Sequence, residues 1–271
     1  MRNFLVFLAG ITSPAFAQSS DSAKSDSGSP IQDNSFFVEE AYNQEAGVVQ
    51  HVTTFHRYRG SSDFELGFGQ EWPVRSVRHQ LSFDIPLTRT ASKTGVGDIG
   101  VNYRYQVYGD ATTPLALAPR LTVLLPTGDW KKSHGTGTVG FEVNLPLSYV
   151  VSRYVVTHFN AGAAITPSAR NAFGDRATVG EWGGSASAIF TGSNAIQPMV
   201  EAVFSRAQEV VGDNRTTYGN STFVAPGLRG AINFDSGVQL VPGISFPIGV
   251  GGSSGERSAF FYLSVEHAFS R

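Results

Sequence analysis

The stretch VGFEVNLPLS, Val139–Ser148, alternates residue by residue. Val139, Phe141, Val143, Leu145 and Leu147 share one parity, and Gly140, Glu142, Asn144 and Ser148 the other. A period of two makes this a β-strand with one apolar and one polar face. Alternation alone does not say whether the apolar face looks into a protein core or out at lipid. The direction in which Glu142 points therefore depends on the rest of the chain.

The pattern recurs. Alternating segments at 49–58, 63–72, 77–86, 98–108, 115–125, 138–148, 154–166, 179–190, 196–206, 221–233, 237–247 and 258–269 are separated by clusters of Gly, Asn, Asp, Ser or Pro. Their connectors alternate in length: PVRS, DATTP, VVSRY, TGSN and DSG are short. LTRTASKTGVG, PTGDWKKSHGTG, PSARNAFGDRAT, AQEVVGDNRTTYGN and IGVGGSSGER are long, and RGSS alone is out of sequence. Short turns on one rim and long loops on the other are the plan of a bacterial outer-membrane barrel with both ends on the periplasmic side.

The polar parity points the same way. It collects Glu65, Arg78, Asp84, Arg104, Arg120, Glu142, His158, Asn160, Glu181, Gln197, Glu201, Arg229, Gln239 and Glu266, and no lysine. A solvated sheet face would be rich in Lys and Thr, whereas Arg and Glu among Asn, Gln, Gly and Ser suit a polar lumen crossed by charge pairs. The expected fold is all-β: a closed, antiparallel, up-and-down transmembrane barrel of about twelve strands. Strands of about 10 residues tilted by some 40° rise roughly 25 Å, the height of an outer-membrane apolar band. Twelve of them enclose a lumen on the order of 10 Å wide once side chains are in place. Aromatic residues near strand ends, Trp72, Tyr103, Tyr105, Tyr149, Tyr154, Trp182, Phe190 and Phe269, fit interfacial girdles. Pro86, Pro119, Pro146, Pro198, Pro226 and Pro242 run against a closed ladder, and Pro226 and Pro242 call for local bulges.

Ahead of the strands, MRNFLVFLAGITSPAFAQ joins a charged Arg2, an apolar run and the triplet Ala15, Phe16, Ala17. This is a signal peptide over residues 1–17, so the mature chain is exported. Residues 18–35 are Ser-rich and read as a disordered leader. The segment 36–47, with Glu39, Glu40 and Glu45 among apolar residues, reads as an acidic plug or periplasmic segment; its periodicity does not fix its conformation. The barrel occupies 48–271.

Composition excludes other classes. A formal net charge of −2 without basic runs gives nucleic acid no footing. The absence of cysteine removes disulfides, thiolate metal sites and thiol nucleophiles. GVGDIG, Gly95–Gly100, spells a dinucleotide fingerprint but is followed by a strand where a helix is required. GGSSG, Gly251–Gly255, spells a nucleophile elbow inside a flexible loop. His51, His56, His79 and His267 show no ligand spacing with a carboxylate, so no metal or other cofactor is expected. Ser148, His158 and Asn160 have the composition of a hydrolytic site, but their parity is lumenal, away from any lipid substrate.

Several phrases, EEAYNQEAGVVQH, GVGDIGVNYRYQ, LPTGDWKKSHGTGTVGFEVNLPLSY, THFNAGAAITP and FYLSVEHAF, resemble the outer-membrane barrel family labelled as the MetA pathway of phenol degradation. The resemblance spans the mature barrel and implies a transporter-like protein that takes up small, often aromatic or apolar, compounds. It supplies no catalytic residues. Barrels of this kind end on an aromatic residue read by the assembly machinery, whereas here Ser270 and Arg271 follow Phe269.

The functional expectation is a passive channel of the outer membrane, with the lipid bilayer, the barrel-assembly machinery and a small-molecule solute as partners. Arg78, Arg104, Arg120 and Arg229 would pair with Asp84, Glu142, Glu181, Glu201 and Glu266 along the solute path, beside His158. Glu39, Glu40 and Glu45 would dock a gate on the lumenal arginines. An outer-membrane lipid-modifying enzyme and a structural or surface-interaction barrel without a usable pore are the alternatives.

Overall fold

The computed structural model describes residues 35–110 and 113–268. The expected signal peptide, the leader through residue 34, and Phe269, Ser270 and Arg271 lie outside the described residues.

Strand alternation builds twelve staves, each hydrogen-bonded to its antiparallel neighbours. They are β1 (Val48–Tyr58), β2 (Phe64–Val74), β3 (Ser76–Thr90), β4 (Lys93–Val96 and Ile99–Tyr105), β5 (Leu115–Leu117 and Arg120–Leu125) and β6 (Gly140–Asn144 and Leu147–Ser152). The second half holds β7 (Val155–Arg170), β8 (Arg176–Phe190), β9 (Gln197–Gly212), β10 (Arg215–Arg229), β11 (Gln239–Ser245 and Ile248–Gly249) and β12 (Ser258–Ala268). The first and last staves pair from Val48 opposite Ala268 to Tyr58 opposite Ser258, closing the sheet and removing its edges. The rim where β1 begins and β12 ends is the near rim; the opposite one is the far rim.

Burial is inverted relative to a water-soluble sheet. On β6 Phe141 and Val143 point outward and are exposed, as is Leu145, while Glu142 points into the barrel with 12% of its side chain accessible. The apolar faces form a continuous outer belt, and the buried side chains are largely polar. Aromatics mark its limits. Tyr154 and Phe190 stack at the near rim, 6.1 Å apart, and Trp182 packs on Phe204 further up β8. The eight residue steps from Trp182 to Phe190, at about 3.3 Å each and tilted about 40°, give a belt roughly 20 Å tall.

Two of the long far-rim connectors are largely strand. LTRTASKTGVG and AQEVVGDNRTTYGN are hairpins that continue the ladder beyond Trp182, turning at Ala91–Ser92 and Asp213–Asn214. Ala91, Ser92 and Asn214 take the positive φ that such tight turns demand. Loop-like composition hid the strands because only their outward faces needed apolar residues within the membrane.

Nor do Pro226 and Pro242 cause bulges. The β9–β10 register passes through Val200 opposite Pro226, and the β11–β12 register through Pro242 opposite Leu263. In an antiparallel strand a residue's N–H and C=O point to the same neighbour. The carbonyls of Pro226 and Pro242 accept from Phe246 and Gly230. Each missing N–H therefore costs one bond on that side and leaves the opposite ladder intact. Pro119, Pro146 and Pro247 sit where β5, β6 and β11 are interrupted, and the register shifts fall elsewhere, for example between Thr166 and Ala169 around Pro167.

Phe159, 47% exposed and opposite Leu147 and Ala186, lies midway up the belt. Phe159→Arg should cost about 2–4 kcal/mol, measured by urea-dependent folding into lipid vesicles. An unchanged stability would place that face away from lipid.

Candidate functional site

Closure leaves no strand edge inside the barrel, yet Ser35–Gln44 is buried there. This segment has no regular secondary structure. Side chains of the wall satisfy its backbone instead, stave after stave. The N–H of Phe37 donates to Glu201 Oε1 of β9 (2.8 Å), that of Glu39 to Asn160 Oδ1 of β7 (2.8 Å), and that of Ala41 to Ser148 Oγ of β6 (2.7 Å). The N–H of Asn43 donates to Gln106 Oε1 beyond β4 (3.3 Å), and that of Gln44 to Gln80 Oε1 of β3 (2.6 Å). Carbonyls are met in the same way: Asn160 Nδ2 donates to the Glu39 carbonyl and Gln106 Nε2 to that of Ala41, each at 2.9 Å or less. The chain thus runs around the inner wall before entering β1.

Its start is anchored on apolar residues. Phe36 and Phe37 pack with Val52, Val241, Phe260 and Tyr262, side chains that point inward from β1, β11 and β12. The Phe36 ring lies against Gly227 of β10 and Gly243 of β11, where an added Cβ would overlap it. Glycine here provides a flat seat for a ring.

Arg120 holds the middle of the segment. Nη1 lies 2.8 Å from Glu39 Oε1 and Nη2 2.5 Å from Glu142 Oε1, with 3% of the arginine side chain accessible. Arg104 donates to Asn43 Oδ1 (2.9 Å) and to the carbonyls of Glu40 (3.2 Å) and Tyr42 (2.5 Å). Tyr42 donates to the Thr113 carbonyl (3.2 Å), and burial raises its phenol well above the usual range. Burial also pushes the Glu45 carboxyl up to about 7. The docked state favours the neutral form, so this contribution is complete below the ordinary carboxylate pKa and is lost as pH rises through about 7.

The expected residues divide accordingly. Of the arginine–acid pairs expected across the lumen, Arg120–Glu142 forms. Arg104 is spent on the segment's backbone, and Glu201 on the Phe37 amide. Arg229 donates to Gln197 Oε1 (3.1 Å). Asp84, Glu142 and Glu181 line a far-side cavity, and Glu266 lies inward on β12, level with Gln239 and Gln50. Arg78 is exposed at the near rim, away from this group, because it lies two residues from the β2–β3 turn. Glu39 meets an arginine, while the Glu40 residue reaches Arg104 through its carbonyl. Ser35, placed with the leader on composition, is buried with the segment and donates to the Val38 carbonyl.

Ser148 and His158 are in contact, Oγ to Nδ1 at 2.7 Å, and both are buried. Ser148 Oγ also accepts the Ala41 amide and Asn160 clasps Glu39, so all three groups serve to hold the segment. The seam of the barrel also brings His51 and His267 together with Nε2 atoms 3.2 Å apart, a pairing across 216 residues that spacing along the chain could not reveal.

Above Arg120 opens a cavity of about 480 Å³, bounded toward the far rim by the 126–139 loop through Trp130 and Thr136. The loop is fastened by Asp98, whose carboxylate accepts from Gly128 N, Thr136 N and Thr136 Oγ1 at 2.8–2.9 Å. GVGDIG thus has a mechanical role: Asp98 is the loop's anchor, Gly95 leaves room for the His134 ring and Gly97 for Pro86 and the His134 carbonyl. Sequence reasoning missed Asp98, Gln80 and Gln106, although an aspartate fixed among glycines and a lumenal face rich in amides carried the signal.

Arg120→Met leaves Glu39 and Glu142 buried without their cation, which costs about 3–5 kcal/mol. A glutamate-specific protease should cut after Glu39 or Glu40 at least roughly tenfold faster in that variant than in the native barrel. Equal resistance would show that the ion pair does not hold the segment.

No family model matches the chain, and no curated protein matches it in sequence. Among solved structures, it is similar to the COG4313 outer membrane channel from Pseudomonas putida F1, with a TM-score of 0.63 at 10% identity, covering 84% of this chain and 98% of that one. It is also similar to the NanC porin, with a TM-score of 0.52 at 12% identity, covering 82% of this chain and all of the porin. The chain has the fold of outer-membrane channel barrels.

Proposed function

We propose that this protein is an outer-membrane channel through which small organic molecules diffuse passively, with the 36–47 segment acting as a displaceable plug. The observation that carries the reading is a lumen that holds a cavity beneath the far-rim loop and is filled below by a segment whose backbone amides are met by side chains of the wall. A backbone held this way detaches without breaking the barrel's own ladder. The two similar solved structures described above, a channel and a porin among others, support the class of function. By the usual plan of such barrels the near rim is periplasmic and the far rim external. The sequence resemblance adds aromatic or apolar compounds as candidate solutes.

Passage then requires two events. A solute enters the outer cavity, and the segment leaves Arg120, Asn160 and Ser148 to open the path to the periplasm. Deleting residues 36–46 should give a persistent open level in single-channel recordings from planar bilayers, one that the intact chain reaches rarely. Retained heat-dependent migration in detergent gels will establish that the deleted form still folds as a barrel. Unchanged conductance in a folded deletion form would reject the plug. Silence of both forms would favour a structural barrel without a usable pore.

A further inference from the structure

The outer cavity has a chemical character that the channel reading leaves open. Glu65, Asp84, Glu142 and Glu181 reach it from β2, β3, β6 and β8. The cations beside them are already engaged. Arg120 is shared between Glu39 and Glu142, and Arg170 lies at the rim, 5.2 Å from the centre of the Trp130 ring. Asp98 is saturated by the loop it anchors.

Two of the other carboxylates are not saturated. Asp84 accepts from Asn102 Nδ2 through Oδ2 (2.6 Å), and its Oδ1 has no hydrogen-bond partner. The same holds for Oε1 of Glu181. Burying carboxylate oxygens without partners is unfavourable unless something completes them. Register shows how one group could do so. Ala164 of β7 lies opposite both Glu142 and Glu181, so two carboxylates flank a single methyl group. Their backbones stand about 10 Å apart, twice the strand spacing, a gap that two glutamate side chains can close on one shared cation.

A bare metal ion is a poor match. No group of three or more His, Asp or Glu among the described residues converges to hold one. The cavity wall is also largely apolar, with Leu124, Trp130 and Val179 in it. Carboxylates distributed around an apolar surface, with an indole at the outer edge, suit a cation that carries a hydrocarbon body.

We infer that the outer cavity binds organic ammonium compounds with an apolar or aromatic body, the charged head on Glu142, Glu181 or Asp84 and the body against Leu124 and Trp130. The assignment takes the cavity as the mouth of the channel proposed above. It reverses the preference that a lumen rich in arginine would suggest: carboxylate solutes are repelled at the outer mouth.

The test is titration of the full mature chain in detergent with 2-phenylethylammonium and with phenylacetate, a cation and an anion of similar size. Calorimetry and tryptophan fluorescence give the readouts. The ammonium should bind saturably and the carboxylate at least tenfold more weakly. The double variant Asp84→Asn with Glu181→Gln, which leaves the Arg120–Glu142 pair intact, should lower ammonium affinity at least tenfold while keeping the barrel's heat-dependent migration. Equal binding of both probes, no binding of the ammonium, or full affinity in the folded double variant would overturn the inference. Flux into protein-containing vesicles separates the two readings. Saturable ammonium binding without flux retains the site and removes the channel, whereas flux indifferent to solute charge retains the channel and removes the site.

Discussion

A chain segment placed inside a closed barrel has no strand to pair with, and the organisation of this lumen follows from that constraint. Every stave of the barrel is already paired on both sides, so the amides of the 35–44 segment need side-chain partners or remain unsatisfied in a buried site. The wall supplies Glu201, Asn160, Ser148, Gln106 and Gln80 from β9, β7, β6, the end of β4 and β3. Amide and hydroxyl groups meet this need well because they donate and accept at once. Asn160 does both to Glu39, as a neighbouring strand would.

The same constraint distributes the other forces. The aromatic pair Phe36 and Phe37 takes the apolar arc of the wall beside β10, β11 and β12, and the ion pair of Arg120 with Glu39 pins the opposite arc. Aromatic packing thus fixes the start of the path and the ion pair its middle. Arg120 also contacts Glu142 and borders the outer cavity. One guanidinium therefore couples what happens in the cavity to how firmly the segment is held.

Much of this architecture could be read from residues. The alternation in Val139–Ser148 and its repetition gave twelve staves, and the lysine-free polar parity put Glu142 inside. The far-rim hairpins escaped because beyond the membrane both faces of a strand tolerate polar residues, so the period of two fades while the pairing continues. The partners of the segment escaped for a different reason. Phe37 and Glu201 are 164 residues apart and meet only because the barrel closes. Charge signs suggested that the arginines would meet acids along the lumen. Arg104 instead serves backbone carbonyls, a use of guanidinium that no pattern of charges along the chain records. The prolines escaped because their cost depends on which neighbour the missing N–H would have faced.

Wall side chains hold the segment by its backbone amides, and amide hydrogen exchange reads that state without altering a residue. In the native barrel, the amides of Phe37, Glu39, Ala41, Asn43 and Gln44 should exchange far more slowly than those of a free peptide, with protection approaching that of the strands around them. Exchange of these five amides at free-peptide rates, while the barrel strands stay protected, would contradict a segment docked in the lumen.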